Sequence, residues 1–315
     1  MGTKLGTTEA LNDCLVAAIC RRNSDMITKL CLQGANVSDK TVIKAAIMYP
    51  SDSFHTLLTS TRHKEATPCG LNTDVLIWAI CHRHSAAEKV RLLLQMVQVD
   101  IHGFGRCGHR CDRTPLGAAI KYCRESLSIV VMLLDAGCNP NDIAECYEPY
   151  ISKFRENETA LLLEINSRRK DLVELLINRG ARVNEPAKRA LKRTPLQKAA
   201  EVGSLEIVVL LLNEGADVNG MSAVRNGGTA LQFAAISGNC NIAAMLLSRG
   251  ARLDTPPPRV NGRWPLEGAA EHGRLAMIEF LWKVQDHLAC AYPDGLVPGF
   301  EPDICQNARK LAEEY

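Results

Sequence analysis

The sequence predicts an all-α protein that is built from repeated pairs of short helices. One position of the repeat, which we call its slot, recurs every 35 residues and is occupied by Thr159, Thr194, Thr229 and Trp264. A glycine recurs with the same period, at Gly180, Gly215 and Gly250. Aromatic residues make up only 5% of the chain, which favours helices packed through aliphatic side chains over a β-rich core. Equal intervals at two separate slots indicate an array of structural repeats.

The unit that begins at Thr194 shows how one such repeat folds. Thr194 can cap a helix, and Pro195 stands in its first turn, where the missing N–H is tolerated. Gly203 ends this first helix, and Gly215 ends a second, antiparallel one. The second helix carries an apolar stripe formed by Leu205, Val208, Leu211 and Leu212. Since such a pair is apolar on both sides, it must stack on its neighbours.

Three copies of the slot carry a sequence pattern that resembles a known family. Residues 114–116, 194–196 and 264–266 read Thr-Pro-Leu, Thr-Pro-Leu and Trp-Pro-Leu, which is similar to the hallmark Thr-Pro-Leu-His-x-Ala of ankyrin repeats. Weaker copies begin at Asp13, Thr41 and Asp74. Residues 304–315 resemble the first helix of one more unit. The resemblance implies an ankyrin solenoid of about eight and a half helix-turn-helix units with projecting finger loops.

We expect one array over residues 1–315. It divides into divergent repeats at about 8–110, regular repeats at about 111–285 and a C-terminal half-repeat at about 295–315. Longer spacing between units places extra residues in loops at 60–72, 101–112 and 139–157, where ankyrin proteins carry fingers. The long proline-containing fingers and the tail are similar to those of fungal ankyrin proteins.

The histidine of the family pattern is absent throughout. Other residues occupy its slot, namely Gly117, Leu162, Gln197, Gln232 and Glu267. The sequence therefore departs from the family at the position that usually supplies a hydrogen bond.

Composition and charge restrict the classes of function. The chain has 37 Lys and Arg against 35 Asp and Glu, so no global field attracts nucleic acid or an anionic membrane. No apolar stretch is long enough to span a bilayer, and the N-terminus lacks the apolar run of a signal peptide. Thirteen cysteines without a regular framework favour free thiols in a reducing compartment. We therefore expect a cytoplasmic or nuclear protein with no membrane partner.

Residues 103–108, Gly-Phe-Gly-Arg-Cys-Gly, fit the G-x-G-x-x-G pattern of a dinucleotide-binding loop. That fingerprint requires the glycines to open a helix directly and an acidic residue about 20 positions further on. Here residues 110–113 intervene, and Asp135 lies 27 positions after Gly108. Residues 114–137 are also accounted for as one repeat. We therefore expect no cofactor.

One inserted loop groups four side chains that can ligate a metal, His102, Cys107, His109 and Cys111. Such a set can satisfy a tetrahedral zinc ion. The spacing is not that of a known zinc finger, because structural sites usually pair Cys-x2-Cys or His-x3-His elements. A metal site and a polar finger without metal are both open, and we favour the finger.

Residues 151–200 contain twelve Lys or Arg against six Asp or Glu. This excess is either solvated charge on helix ends and turns or a patch for an acidic protein segment or a phosphate. Nucleic acid is disfavoured, because the segment offers neither interleaved aromatic residues nor a helix that could enter a groove.

The resemblance to ankyrin proteins implies a partner site in the concave groove between the fingers and the first helices. At the matching positions the sequence varies in charge and size from one unit to the next, whereas the core positions repeat. The predicted partner-binding residues are Arg113, Lys121, Tyr122, Arg193, Glu201, Val202, Ile236, Ser237, Arg263, Glu271 and His272.

We predict a scaffold that binds another protein through this concave face, with an acidic segment as one candidate partner. A first alternative is the ankyrin segment of a larger regulator or transcription factor, which the missing last helix favours. A second is an enzyme that uses the groove as a pocket. We see no paired carboxylates, nucleophile elbow or histidine-centred triad that would favour the enzyme.

Overall fold

The computed structural model describes residues 2–49, 51–61, 73–82, 86–95, 99–105, 112–123, 127–147, 156–187, 191–289 and 305–306. The chain divides into two compact units, Met1–Glu148 (unit 1) and Pro149–Tyr315 (unit 2). One continuous array over residues 1–315 stays a prediction. Most of the expected half-repeat at 295–315 lies outside the described residues.

Unit 1 contains four helix pairs in its described part. The helices are α1 (Gly2–Cys20), α2 (Ser24–Leu32), α3 (Lys40–Met48), α4 (Ser51–Thr61), α5 (Thr73–Cys81), α6 (Ala86–Leu94), α7 (Pro115–Tyr122) and α8 (Leu127–Asp135). The odd-numbered first helices pack on one another in chain order, and so do the even-numbered second helices. This is the stacking that helices with two apolar faces require.

Two short strands lie beside the fourth helix pair of unit 1. Strand β1 (Asp112–Arg113) pairs antiparallel with β2 (Ile143–Tyr147). Strand β2 packs so closely on α7 that a Cβ atom at Gly117 would lie 2.0 Å from the carbonyl oxygen of Ala144. A side chain therefore cannot fit where the family pattern has histidine.

Unit 2 contains four further helix pairs, preceded by a short strand, β3 (Glu156–Thr159). The helices are α9 (Ala160–Asn166), α10 (Lys170–Asn178), α11 (Pro195–Val202), α12 (Leu205–Asn213), α13 (Ala230–Ser237), α14 (Cys240–Ser248), α15 (Pro265–Glu271) and α16 (Leu275–Ala289). First helices again stack on first helices, and second on second. The eight pairs in the described residues agree with the predicted number of full repeats.

The ends of the first helices are set by the residues that the sequence singled out. The hydroxyl of Thr194 accepts a hydrogen bond from the N–H of Gln197 at 3.3 Å, and that of Thr229 accepts one from Gln232 at 3.2 Å. Gly203 ends α11 in the left-handed conformation, with φ +78°. A residue with a side chain is strained in that conformation.

The core of unit 2 follows the predicted repeat with one exception. Ile207, Val208 and Leu211 of α12 are fully buried. Leu205 is 37% exposed, so it is not part of the buried stripe that we expected. Leu205 is the first residue of α12. Its side chain therefore lies at the end of the helix, where the neighbouring repeats cover it only in part.

Asparagine side chains join the loops that follow the second helices of unit 2. Asn184 donates to the carbonyl of Gly215 at 2.9 Å and accepts from the N–H of Asp217 at 2.8 Å. One repeat later, Asn219 makes the same two bonds, to Gly250 at 3.0 Å and Arg252 at 2.9 Å. Polar contacts therefore tie each repeat to the next outside the apolar core.

Lys89 is a charged residue in the interior of unit 1. Its side chain is fully buried, and its ammonium group donates a hydrogen bond to the carbonyl oxygen of Ile47. Burial lowers the pKa of Lys89 below its ordinary value of 10.5, against a smaller opposing effect of Glu88. No helix in the described part of the chain is long and apolar enough to cross a membrane.

Truncation of the core should loosen more than one repeat. Leu211→Ala is expected to lower the free energy of unfolding by about 2–5 kcal/mol through the cavity it leaves. Leu205→Ala, on the same helix, should cost about 1 kcal/mol or less because that side chain is half outside the core. Hydrogen exchange should rise in the adjacent repeats as well. Loss of protection confined to residues 194–219 would contradict this coupling.

Stability should depend on pH through Lys89. Between the lowered pKa of the folded state and 10.5, the unfolded chain binds one proton more than the folded chain, so raising the pH stabilises the fold. Lys89→Met removes this contribution. The free energy of unfolding of the natural protein, minus that of the variant, should therefore increase from neutral pH toward 10.5. Urea titrations at several pH values measure it, with Lys29→Met as the control for loss of one exposed charge. A difference that stays constant or decreases would refute the assignment.

Candidate functional site

Two glutamines fasten the finger loops of unit 2 to the first helices. The side-chain oxygens of Gln197 and Gln232 accept from the N–H groups of Thr194 and Thr229, at 3.0 and 2.9 Å. The amide nitrogen of Gln197 donates to the carbonyl oxygens of Gly220 and Met221, at 2.9 and 3.2 Å. That of Gln232 donates to Thr255 at 3.0 Å. Glutamine thus supplies a hydrogen bond from the slot where the family pattern has histidine.

The fingers at residues 220–228 and 255–263 contact each other near their tips. The N–H of Asn226 donates to the carbonyl of Val260 at 3.0 Å, and the side chain of Asn261 donates to that of Asn226 at 2.8 Å. Both asparagines have positive φ, +52° and +57°. Met221, at the base of the first finger, is 85% exposed. The fingers therefore form an ordered edge beside the first helices.

Arginine and glutamate pairs cross the same face of two repeats. Arg193, directly before α11, lies 2.9 Å from the carboxylate of Glu201 in its last turn. Arg263 and Glu271 repeat the arrangement on α15 with two contacts of 2.5 and 3.2 Å. Bonding to Glu271 raises the pKa of Arg263 above its already high ordinary value. The sequence predicted all four residues as partner-binding, and the structure brings them together in pairs.

Two of the three predicted arginines, Arg113 and Arg193, are more enclosed than an ordinary surface residue. Arg193 is 14% exposed, and its guanidinium lies 4.2 Å from the ring centroid of Phe233 in the next repeat. In unit 1, Arg113 is buried, donates to the hydroxyl of Tyr122 at 2.9 Å and lies 5.3 Å from its ring centroid. These contacts fix the arginines in one orientation.

The other predicted positions remain at least partly accessible. Lys121 and His272 are exposed, and Val202, Ile236 and Ser237 are half-buried. The hydroxyl of Ser237 donates to the carbonyl of Glu201 at 3.0 Å. Ile236 packs where Gly268 has no side chain, since a Cβ there would lie 2.6 Å from it. This face is therefore part of the packing between repeats as well as a surface.

A cleft of about 300 Å³ lies in unit 2 beside the first helices α9 and α11 and the finger at residues 220–228. It is lined by Asn157, Glu158, Leu162, Lys192, Arg193, Lys198, Glu201 and Asn226. Two buried polar atoms on its lining residues, Nε of Arg193 and Oδ1 of Asn157, have no hydrogen-bond partner among the described residues. Buried polar atoms are normally paired. The cleft is thus lined by two residues whose hydrogen-bonding capacity is not fully used within the described chain.

Six of the cleft residues were not among the predicted partner-binding residues, namely Asn157, Glu158, Leu162, Lys192, Lys198 and Asn226. A usable signal was present for two of them. Asn157 and Lys192 both stand two positions before the capping threonine, next to the slot of Arg193, and are 35 residues apart. Asn226 enters the cleft from a finger whose path the helical period does not predict.

Several cations of residues 151–200 are bonded within the fold where the structure describes them. Arg169 lies 3.9 Å from the buried carboxylate of Glu164, and Arg168 donates to the carbonyl of Val202. Arg182 pairs with Glu185 at 3.4 Å. Arg193 and Lys198 share Glu201. These cations are therefore not a set of unpaired charges.

The inserted loop that suggested a metal or a dinucleotide is described only in part. Cys107, His109 and Cys111 lie outside the described residues, and His102 is 3.7 Å from the carboxylate of Asp142. No group of three or more His, Cys, Asp or Glu at described positions could hold a metal ion. Gly105 forms an antiparallel bridge with Arg113. It does not open a helix, as a dinucleotide loop requires.

A family model described as "Ankyrin repeats (3 copies)" matches residues 143–222 and 161–257. The matched residues contain the cleft and the pair formed by Arg193 and Glu201. Together with the helix pairs, the match confirms the predicted fold class, an all-α array of ankyrin repeats. Ankyrin repeats generally mediate protein–protein interaction. No curated protein matches the chain.

The glutamine that replaces the family histidine should be needed for the finger. Gln197→Leu leaves the N–H of Thr194 and the carbonyls of Gly220 and Met221 without a partner, so we expect a loss of about 1–3 kcal/mol. Hydrogen exchange in residues 220–227 should accelerate. Gln197→His, which restores a donor, should recover most of the stability. Equal losses in the two variants, measured by denaturant titration, would show that packing and not the hydrogen bond matters.

Proposed function

We propose that this protein binds another protein through the surface formed by the fingers and first helices, with the cleft of unit 2 at its centre. The observation that carries the proposal is the cleft itself, which is lined by Arg193 and Asn157; each of these residues has a buried polar atom without a partner in the described chain. A peptide amide supplies both complementary groups. Ankyrin repeats are interaction modules in general, which supports a protein segment as the ligand of this cleft.

The charge pairs support a preorganised surface. Arg193 is held by Glu201 and by the ring of Phe233, so little side-chain entropy is left to lose on binding. Aromatic and arginine side chains in such fixed positions commonly carry binding energy. An acidic segment of the partner is part of the proposal, which the excess of cations in residues 151–200 suggested. Nucleic acid and membrane are not proposed partners.

An enzymatic function is not part of the proposal. Ankyrin repeats are typically non-enzymatic. The described residues that line the cleft include no serine, cysteine or histidine, and Glu201 is held in ion pairs with Arg193 and Lys198. We also propose the cytoplasm or nucleus as the location, which the thirteen cysteines without a regular framework suggested.

Exchanging the charges of one pair tests the assigned surface while keeping the pair. Once a native partner is recovered by affinity purification and mass spectrometry, its affinity is compared for the natural protein and for Arg263→Glu with Glu271→Arg. The exchanged residues can still form an ion pair, so the melting temperature should change little. The partner meets the reversed charge pattern, and we expect its affinity to fall about tenfold or more.

A second exchange is the matched control. Arg252 and Asp254 form an exposed pair of 2.8 Å in the loop before the second finger, away from the cleft. Arg252→Asp with Asp254→Arg alters the same number and kinds of charge, and it should leave the affinity within about twofold. If this variant weakens binding and the exchange at Arg263 and Glu271 does not, the first-helix surface is the wrong assignment.

A further inference from the structure

An aromatic residue flanked by two lysines lies on the first helices of unit 1. The ammonium groups of Lys40 and Lys44, at the start and in the middle of α3, lie 5.6 and 4.8 Å from the ring centroid of Trp78 on α5. Both lysines are exposed, and Trp78 is half-buried. Neither lysine lies within 4.0 Å of a carboxylate in the described part of the chain. We call these three residues the Trp78 cluster.

The same contact recurs in unit 2 with a different charge balance. Lys40 is the first residue of α3, whereas Arg193 stands directly before the capping threonine of α11. Each cation lies over an aromatic ring of the following first helix. Glu201 neutralises Arg193 at 2.9 Å. The Trp78 cluster has two cations on one ring and no such carboxylate within the described residues. Its charge is therefore available to a partner.

We propose that the Trp78 cluster is the docking point for an acidic segment of a protein partner. The inference rests on the proposed function, protein binding by the first-helix surface, and it assigns the acidic part of that recognition to unit 1. Carboxylates of the segment pair with Lys40 and Lys44, and the aliphatic part of an acidic side chain packs on the indole of Trp78. Opposite charge and a flat apolar surface are the two features such a side chain requires.

The spacing of the lysines limits the segment. Since both ammonium groups lie within 5.6 Å of one ring centroid, they are at most about 11 Å apart, a range in which like charges repel. Alternate residues of an extended strand point to one side and are about 6.6 Å apart. Two acidic residues separated by one other residue can therefore reach both lysines and relieve their repulsion.

Charge distinguishes a protein segment from nucleic acid. Residues 1–148 contain 16 Lys and Arg and 15 Asp and Glu, so unit 1 has almost no net field to attract a polyanion. Tight binding of nucleic acid depends on many phosphate contacts. Two lysines on one tryptophan fit a short run of carboxylates better than a backbone of phosphates.

The test uses the full chain labelled with ¹⁵N in its tryptophans. The three indole N–H signals are recorded by NMR, and that of Trp78 is assigned with Trp78→Phe. The probes are a capped hexaglutamate peptide, a hexaglutamine peptide of the same length and a single-stranded DNA hexamer. We expect hexaglutamate to shift the Trp78 signal and to leave those of Trp264 and Trp282 in place. Hexaglutamine should shift none.

Two double variants test whether hexaglutamate binds through the two lysines. Lys40→Gln with Lys44→Gln should weaken hexaglutamate binding about tenfold, as the loss of two exposed ion pairs predicts. Lys29→Gln with Arg91→Gln removes the same charge from the second helices α2 and α6, and it should leave the affinity nearly unchanged.

Three results would overturn the proposal. They are the absence of a Trp78 shift with hexaglutamate, equal weakening in the two double variants, and tighter binding of the DNA hexamer at the same lysines. None of these three results would by itself contradict the proposed function. A recovered partner that still responds to the exchange at Arg263 and Glu271 would leave protein binding intact while the Trp78 cluster was excluded.

Discussion

Each helix pair of this protein is apolar on two sides, so its side chains are buried only when a neighbouring repeat covers them. Ile207, Val208 and Leu211 are fully buried because the flanking second helices pack on α12. The small pair of Ala199 and Ala200 lets the first helices approach each other. The slots that form this contact must keep their size from repeat to repeat, which is why the sequence shows its period there.

The need to fit a neighbouring repeat applies less strictly to the finger and first-helix positions, so their residues can differ from one repeat to the next. Their residues change from arginine to glycine and from glutamate to isoleucine along the array. The structure shows that they still have structural roles. Arg193 and Arg263 are bound by glutamates eight residues later, and Ile236 fills the space left by Gly268. A substitution on this surface can therefore change both binding and stability, and exchange of a whole pair separates the two effects better than reversal of one charge.

The sequence predicted the helix pairs, the caps and the left-handed glycines, because each depends on residues within a few positions of one another. It predicted the members of the arginine and glutamate pairs but not that they bond to each other, since a separation of eight residues is not a helix neighbour spacing. The sequence also did not predict which contacts replace those of the family histidine. Gln197 bonds to carbonyls 23 and 24 residues away, and Gly117 is explained only by the path of β2.

The sequence did not predict the Trp78 cluster for a related reason. Lys40 and Trp78 are 38 residues apart, and only the stacking of α3 on α5 brings them together. The count of charged residues instead drew attention to residues 151–200, where cations are most frequent. The number of cations in a segment does not show how many of them can bind a partner. A cation that is paired within the fold must lose that pairing before it can bind another carboxylate. Arg193 would exchange one carboxylate for another with little net gain. Lys40 and Lys44 would gain a carboxylate and lose the repulsion between them, so fewer cations can attract an acidic segment more strongly.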